Sequence, residues 1–250
     1  IPKTAFLYAF PRDFYEKHHI RKYGFHGTSH QYVAKRAAAL LKRAEGETDL
    51  ITCHLGNGCS MAAVKRGKCV DTTMGLTPLE GLVMGTRTGD FDPAIVLYLL
   101  RKGYTAEQLD GIFNKKSGLL GVSGISNDVR DLEEQARAGK APAVLALDIY
   151  AYRIRKYIGA YLAVLNGADA IVLTGGVGEN GARMRKRILD GMDKLGIGVD
   201  EQRNAAMTGG KEGEIQSAEA RIKILIVPTN EERAIAQETY RLAGGEGTDR

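Results

Sequence analysis

Residues 49–73 read DLITCHLGNGCSMAAVKRGKCVDTT, three short apolar and β-branched runs separated by turn residues. Strands are predicted over 49–55, 59–65 and 68–73, and the connections Gly56-Asn57-Gly58 and Arg66-Gly67 are hairpin chemistry. Turns this short join antiparallel neighbours, so the segment predicts a three-stranded antiparallel meander.

Outward from the meander the period of the pattern changes. Upstream, residues 31–42 (QYVAKRAAALLK) are helix formers, with Ser29 placed as an N-cap. Downstream, a Gly-rich loop over 75–92 leads to helices over 93–101 and 106–115, Pro93 standing near a first turn. A second loop, SGLLGVSGISND over 117–128, precedes a helix beginning near Asp128. Residues 141–165 are apolar at helical spacing (Leu145, Ile149, Ile154, Ile158, Leu162, Leu165), and Gly167 stops them. Two buried strands are predicted over 169–174 and 223–227, a helix over 182–195 between them, and a last helix from about Glu231 to Leu242. The polar, Gly-rich stretch 196–220 has no assignment beyond an irregular or edge segment. A meander followed by β-α units implies an α/β domain with a mixed sheet flanked by helices, and its glycine loops lie at strand ends, where ligands of open α/β sheets sit.

Composition narrows the class of function. The 250 residues are 44% hydrophobic and 26% charged, which suits a chain with its own core and excludes disorder or collagen-like repetition. The net charge of +5 is spread among acids, aromatic residues are 7% and Trp is absent, so no nucleic-acid platform is expected. No apolar run is long enough to span a bilayer and no signal peptide opens the chain, so no membrane partner is expected. Cys53, Cys59 and Cys69 are odd in number without C-x-x-C pairing. They read as small buried or half-buried hydrophobes in a reducing compartment, here the cytoplasm.

Several motifs carry chemistry. Gly176-Val177-Gly178-Glu179-Asn180-Gly181 is literally G-x-G-x-x-G after a buried strand, so its amides could meet a phosphate, or its glycines could simply permit a tight strand-to-helix turn. A dinucleotide-binding oxidoreductase would use the same motif, with Asp200 as the ribose-binding acid. His54-Leu55-Gly56-Asn57-Gly58 is a hairpin turn whose glycines would let backbone amides approach a polyanion. No Walker-type G-x-x-x-x-G-K-[ST] exists. His26 and His30 are four apart in FHGTSH, but Gly27 and a cap at Ser29 start the helix too late for a shared metal-binding face. A histidine satisfied in a core or loop and one that bonds an anion in the site are the other two readings. Arg87, in the Gly-punctuated loop GLVMGTRTGDFDP, could clamp a carboxylate or a transferring phosphoryl group, or lie on the surface. Asp128 reads as a helix N-cap ahead of Arg130, and Glu231 and Glu232 as acids at a helix start, with Thr229 or Asn230 as cap.

In this order, YGFHGTSH, CHLGNG, TPLEGLVMGTRTGDFDP, SGLLGVSGISNDVRDLE, VLTGGVGENG and VPTNEE resemble the acetate kinase family over nearly the whole chain. The resemblance implies the acetate and sugar kinase, Hsc70 and actin superfamily, and therefore an actin-like (ribonuclease H-like) ATPase lobe. Residues 1–230 would be the C-terminal nucleotide-binding lobe, and 231–250 a terminal helix and tail packing on an N-terminal lobe. It further implies that His54, Leu55, Gly56, Asn57, Gly58, Asp128, Val129, Arg130, Gly176, Val177, Gly178, Glu179 and Asn180 bind the nucleotide. His26 and Arg87 would stabilise the phosphoryl group, Phe25 and Pro78 would line the acyl pocket, and Glu231 would help position Mg2+ (or Mn2+). The reaction implied is ATP plus acetate giving ADP plus acetyl phosphate, by a homodimer joined through this lobe. Cys59 departs from the family, where Ala or Ser is expected. Family members also carry, ahead of the position equivalent to Ile1, a lobe with a metal-binding Asn, substrate Arg and Lys contacts and a catalytic Asp, so this chain alone is expected to be inactive. Propionate or butyrate kinase, a dinucleotide oxidoreductase and an actin- or Hsc70-like nucleotide module are the competing readings.

Overall fold

A computed structural model describes residues 1–230 together with Glu232, Ala236, Thr239 and Tyr240. Two short helices, α1 (Lys3–Phe6) and α2 (Arg12–His18), precede α3 (Gly27–Leu40) and the meander β1 (Asp49–Leu55), β2 (Cys59–Lys65) and β3 (Lys68–Thr72). Five helices follow: α4 (Ala94–Arg101), α5 (Ala106–Lys115), α6 (Gly118–Ser123), α7 (Val129–Arg137) and α8 (Ala141–Leu165). Then come β4 (Ala170–Thr174), α9 (Gly175–Asn180), α10 (Ala182–Leu189), α11 (Glu201–Ala206), β5 (Gly213–Glu214) and β6 (Lys223–Ile226).

The six strands lie in the order β3-β2-β1-β4-β6-β5. The meander is antiparallel, β4 and β6 join β1 in parallel, and β5 closes the edge antiparallel to β6. This is the mixed sheet expected from the sequence. It packs as three layers because the side chains of each strand alternate between its two faces. On one face Ile51, Cys53, Met61, Ile171, Leu173, Ile224 and Ile226 meet Tyr150, Ile154 and Ile158 of α8. On the other, Leu50, Val172 and Leu225 meet Val33 and Ala37 of α3. Each fully buried Leu, Ile or Val adds about 1.5–3 kcal/mol to the fold by removal from water.

Local signals fix several ends, of which the Asp128 cap was expected and the others were not. Thr105 and Gln108 form a reciprocal capping box on α5, Asp128 caps α7, and α8 carries Pro in its first turn and ends at a left-handed Asn166. Four departures follow. Helix α3 starts at Gly27 with His26, left-handed at φ 59°, at the N-cap position. Ser29 is no cap, because its hydroxyl is held instead by His54 and Thr229. The loop over 117–128 contains α6, since Leu119 is buried and the amides of Leu119 and Leu120 donate to Met84 and Gly85 carbonyls. Helix α10 ends at Leu189, six residues early, at the left-handed Gly191. The unassigned stretch 196–220 holds α11 and the edge strand β5. Cys53 and Cys59 are buried as expected, but Cys69 is exposed. Glu231 and most of the predicted terminal helix lie outside the described residues, while Glu232, Ala236, Thr239 and Tyr240 within it are helical. Among the described residues no helix is long and apolar enough to cross a membrane.

Candidate functional site

The hairpin between β1 and β2 brings the motifs together. Gly56 and Asn57 at its tip face Asn127, Asp128, Val129 and Arg130 at the start of α7, and Gly176, Val177 and Asn180 on α9, across a cleft of about 650 Å³. Residues 56–57, 128–130 and 176, 177 and 180, far apart in sequence, thus share one cavity, whereas His54, Leu55, Gly58, Gly178 and Glu179 do not line it. Asn127 Nδ2 donates to Asn57 Oδ1 at 2.9 Å, and Gly85 N donates to Asn57 O at 2.9 Å. A Cβ on Gly85 would collide with the Asn57 side chain, so that loop needs glycine for close approach rather than for conformation. Below the turn, Cys59 Sγ donates to Gly56 O at 3.0 Å and contacts Tyr150 Oη at 3.1 Å, a buttress the sequence did not announce.

Not every predicted nucleotide residue faces the cleft with its side chain. Leu55 is fully buried in the core, so only its backbone is available. Gly178 is buried, and Glu179 turns inward: its Oε1 accepts from Gly175 N at 2.9 Å, Thr229 N at 3.0 Å and Thr174 Oγ1 at 3.3 Å. The first amide of α9, that of Gly175 just ahead of the motif, is therefore taken by the chain's own carboxylate. Asp200 is likewise no ribose acid at a strand end; its carboxylate caps α11 through the amides of Gln202 and Arg203. Arg130 clasps Asp128 at 2.6 Å and holds that carboxyl below its ordinary range. Glu133 and Arg183, not predicted, also line the cleft, and burial raises the Glu133 carboxyl.

Gly175 joins β4 to α9 at φ +74°, and an added Cβ would stand 2.7 Å from Leu55 O and 3.0 Å from Leu55 N. Both neighbours are backbone of β1 and cannot yield cheaply. Gly175→Ala is expected to cost about 2–4 kcal/mol from left-handed strain plus overpacking, read as a lower denaturant midpoint at unchanged slope. A midpoint equal to that of the parent would show that the β4–α9 junction relaxes.

Beside the hairpin lies a second group. A Cβ on Gly58 would stand 3.6 Å from His26 Cε1 and 3.9 Å from Arg87 Nη1, so both side chains flank the same loop residue. Arg87 Nη1 donates to Pro78 O at 3.4 Å. The loop bearing Arg87 is tied to α8, where Tyr157 Oη donates to Asp90 Oδ2 at 2.6 Å and Arg153 donates to the Gly81 and Asp90 carbonyls. Phe25 lines a separate groove of about 380 Å³ between α3 and the β2–β3 edge, so the structure does not bring it into the cleft with the nucleotide segments.

His26 stacks on His54 at 4.3 Å with 19° between the rings. Behind them His30 is buried, its Nδ1 2.8 Å from Thr52 Oγ1 and its Nε2 2.7 Å from Ser60 Oγ. The histidines at 26 and 30 do come to one side of α3, since the helix begins earlier than predicted. What they share is a serine hydroxyl, and among the described residues no three His, Cys, Asp or Glu side chains converge as a metal cluster. A period-two signal was present: Thr52 and His54 are polar at alternate positions of an otherwise apolar strand, and they pair with Ala62 and Ser60 on the neighbouring strand.

Burial, reinforced by the nearby His54 and His26, pushes His30 down to about 3, and burial also lowers His54. In the unfolded chain His30 takes a proton below about 6.5, whereas in the fold it stays neutral until about 3. Unfolding therefore takes up a proton in that window. Stability from this group is complete above about 6.5 and falls with acidification, with a slope approaching about 1.4 kcal/mol per pH unit. Melting temperatures measured from pH 7.5 down to 4.5 should fall, and His30→Asn should flatten the fall; an unchanged slope in the variant would assign it to other groups.

A three-layer lobe built on an antiparallel meander continued by parallel strands, with loops at the strand ends around one cleft, defines the ribonuclease H-like, actin-like ATPase-lobe class. Within that class the chain belongs to the Acetokinase family, whose profile matches residues 1–237. An acetate kinase of Methanosarcina thermophila is 56% identical over 97% of this chain and 59% of its own length, and one of Thermotoga petrophila is 56% identical over 97% and 60%. Among solved structures, an acetate kinase of Porphyromonas gingivalis superposes with a TM-score of 0.94 at 45% identity, covering 97% of this chain and 61% of that one. A propionate kinase of Francisella tularensis gives 0.90 at 44% identity, covering 95% and 60%. The chain spans about 60% of the length of the relatives it matches.

Proposed function

We propose that this chain is the nucleotide-binding lobe of an acetate kinase, taking ATP and acetate to ADP and acetyl phosphate. The observation that carries the reading is the hairpin at Gly56–Gly58: its tip opens on the cleft, and its last glycine lies against His26 and Arg87. A nucleotide laid along the cleft would point its terminal phosphate toward that imidazole and guanidinium. Acetate is already ionised at neutral pH, so the nucleophile needs no strong base. One acetate oxygen forms a bond to the γ-phosphorus as the bridging oxygen departs with its electron pair on ADP. The work left to the protein is alignment and neutralisation of charge on the equatorial oxygens. Arg87 and His26 supply that charge stabilisation, and Pro78 shapes the acyl side.

Mg2+ takes hard oxygen ligands, commonly one or two carboxylates plus substrate phosphates. Thr229, tied to Glu179 and Ser29, anchors the segment beside His54, and the carboxylate of Glu231 two residues further on is a donor of that type. Bound there, the ion would neutralise phosphate charge.

The test is calorimetric titration of the chain with ADP, with and without Mg2+, and in parallel with NAD. Saturable ADP binding with NAD silent is expected; tighter binding of NAD would overturn the reading. The near-equal likeness to a propionate kinase supports a second substrate reading, because one methylene in an apolar pocket shifts preference by only about 1–3 kcal/mol. Comparison of kcat/KM for acetate, propionate and butyrate in the intact enzyme separates them. A homodimer is part of the same proposal. Helix α4 has no buried residue, and Leu97 and Tyr98 on it are 55% and 57% exposed, an apolar face suited to a second copy.

A further inference from the structure

The hydrogen bonds behind His26 form one continuous line. His26 Nδ1 lies 2.8 Å from Ser60 Oγ, and Ser60 Oγ lies 2.7 Å from His30 Nε2. His30 Nδ1 lies 2.8 Å from Thr52 Oγ1, which is 3.4 Å from Ala62 O. Ser60 and Thr52 are wholly buried, and His30 nearly so. Two imidazoles aim a ring nitrogen at a single hydroxyl that owns one proton. A buried hydroxyl must place that proton, so it donates to one ring and accepts from the other. The tautomer of His26 is thereby coupled to that of His30.

From this geometry we infer that Ser60 is a positioning residue for the phosphoryl-transfer step, holding the His26 ring by its Nδ1 and setting which ring nitrogens carry protons. The inference rests on the kinase reading given above and adds to it a residue that touches neither nucleotide nor acyl group. Two arrangements satisfy the line without any heavy atom moving. In the first, Thr52 donates to His30, His30 to Ser60 and Ser60 to His26 Nδ1, leaving neutral His26 protonated at Nε2. In the second, every bond reverses: His26 Nδ1 donates to Ser60, Ser60 to His30, His30 to Thr52 and Thr52 to Ala62 O, with His26 either the neutral Nδ1–H tautomer or the imidazolium. His30 keeps a single proton in both, as its burial requires. His26 can thus carry or lack its second proton with its ring fixed, and Nε2 is a donor whenever Ser60 donates to Nδ1 or the ring is charged. Nε2 is also one of the His26 atoms nearest Gly58, 3.7 Å from the position of a Cβ there. A donor fixed in place before the reaction needs no reorganisation as charge develops.

The experiment is a double-mutant cycle in the intact enzyme, together with nitrogen-15 spectra of the His26 ring. Ser60→Ala is expected to lower kcat by roughly tenfold or more, the scale of a small displacement of a catalytic group, with the KM for ATP within about twofold. Ser60→Thr, which keeps the hydroxyl, should restore most of kcat. In a His26→Ala background, Ser60→Ala should have no further effect on kcat, because Ser60 acts only through that ring. The His26 spectrum should change from one dominant form to a tautomer mixture in Ser60→Ala, and should stay parental in Ser60→Thr, the variant that keeps the measurement available if the alanine form fails to fold. Multiplicative losses in the double variant, or an unchanged His26 spectrum in folded Ser60→Ala, would overturn the positioning role while leaving the kinase reading intact. Parental kcat in His26→Ala would overturn both.

Discussion

Replacing Arg87 by alanine in the intact enzyme is expected to lower kcat by roughly a thousandfold, the scale set by removal of a preorganised charge at a transferring phosphoryl group. ADP affinity should stay within about twofold, because Arg87 is not among the residues lining the cleft. On the proposed kinase reading the guanidinium would act on the transition state rather than on the bound nucleotide. Arg87 flanks Gly58 at the inner end of the hairpin, and its loop is pinned by Asp90 to Tyr157 and Arg153 of α8. Arg87→Lys should rescue little, since an ammonium keeps the charge but loses the planar fork. Steady-state kinetics beside ADP titrations decide the matter; near-parental kcat in Arg87→Ala would remove Arg87 from the reaction.

The second large effect concerns stability. Arg185 on α10 is 0% exposed, yet its hydrogen bonds go to neutral acceptors rather than to a carboxylate. Nη1 donates to Gly178 O at 3.0 Å and Glu179 O at 2.8 Å, and Nε donates to Asn204 Oδ1 at 2.7 Å. Nη2 donates to Asn204 O at 2.6 Å and Met207 O at 2.8 Å. Burial lowers its pKa only to about 10, so it stays charged at neutral pH, its charge spread over five oxygens. Arg185→Met fills much of the volume but leaves those oxygens without their donor. At about 1–3 kcal/mol for each group left unsatisfied, and with partial relaxation, a loss of about 3–5 kcal/mol is expected. Because the same side chain ties α9 to the 204–207 segment, ADP affinity should fall as well. Chemical denaturation with ADP titration tests both; a loss below about 1 kcal/mol would mean that water replaces the guanidinium.

Helices α5 and α8, the Asp128 cap and the meander follow from local chemistry, and each was legible to within a residue or two. Apolar spacing, turn glycines and cap side chains act over three to seven residues, a range in which sequence order and spatial order coincide. Helix α6 and the early start of α3 were not legible, because distant groups set them. Leu119 enters a core built by other elements, and His26 gives up an ordinary cap conformation to reach Ser60 on another element.

The candidate site divides along the same line. Sequence alone singled out the segments proposed for the site, since FHGTSH, HLGNG, MGTRTGDFDP, SNDVR and GGVGEN are each short and chemically complete. It also determined the α/β class, because hydrophobic period and turn chemistry are local quantities. Only the tertiary structure decided which side chains of those segments face outward. It sent Leu55 into the core, turned Glu179 back onto its own helix, placed Phe25 in a different groove and put Ser60 between two histidines. Those outcomes depend on strand register and on helices packed from elsewhere in the chain. A single-residue shift of register would exchange the two faces of a strand and the roles of Thr52 and Cys53 with them.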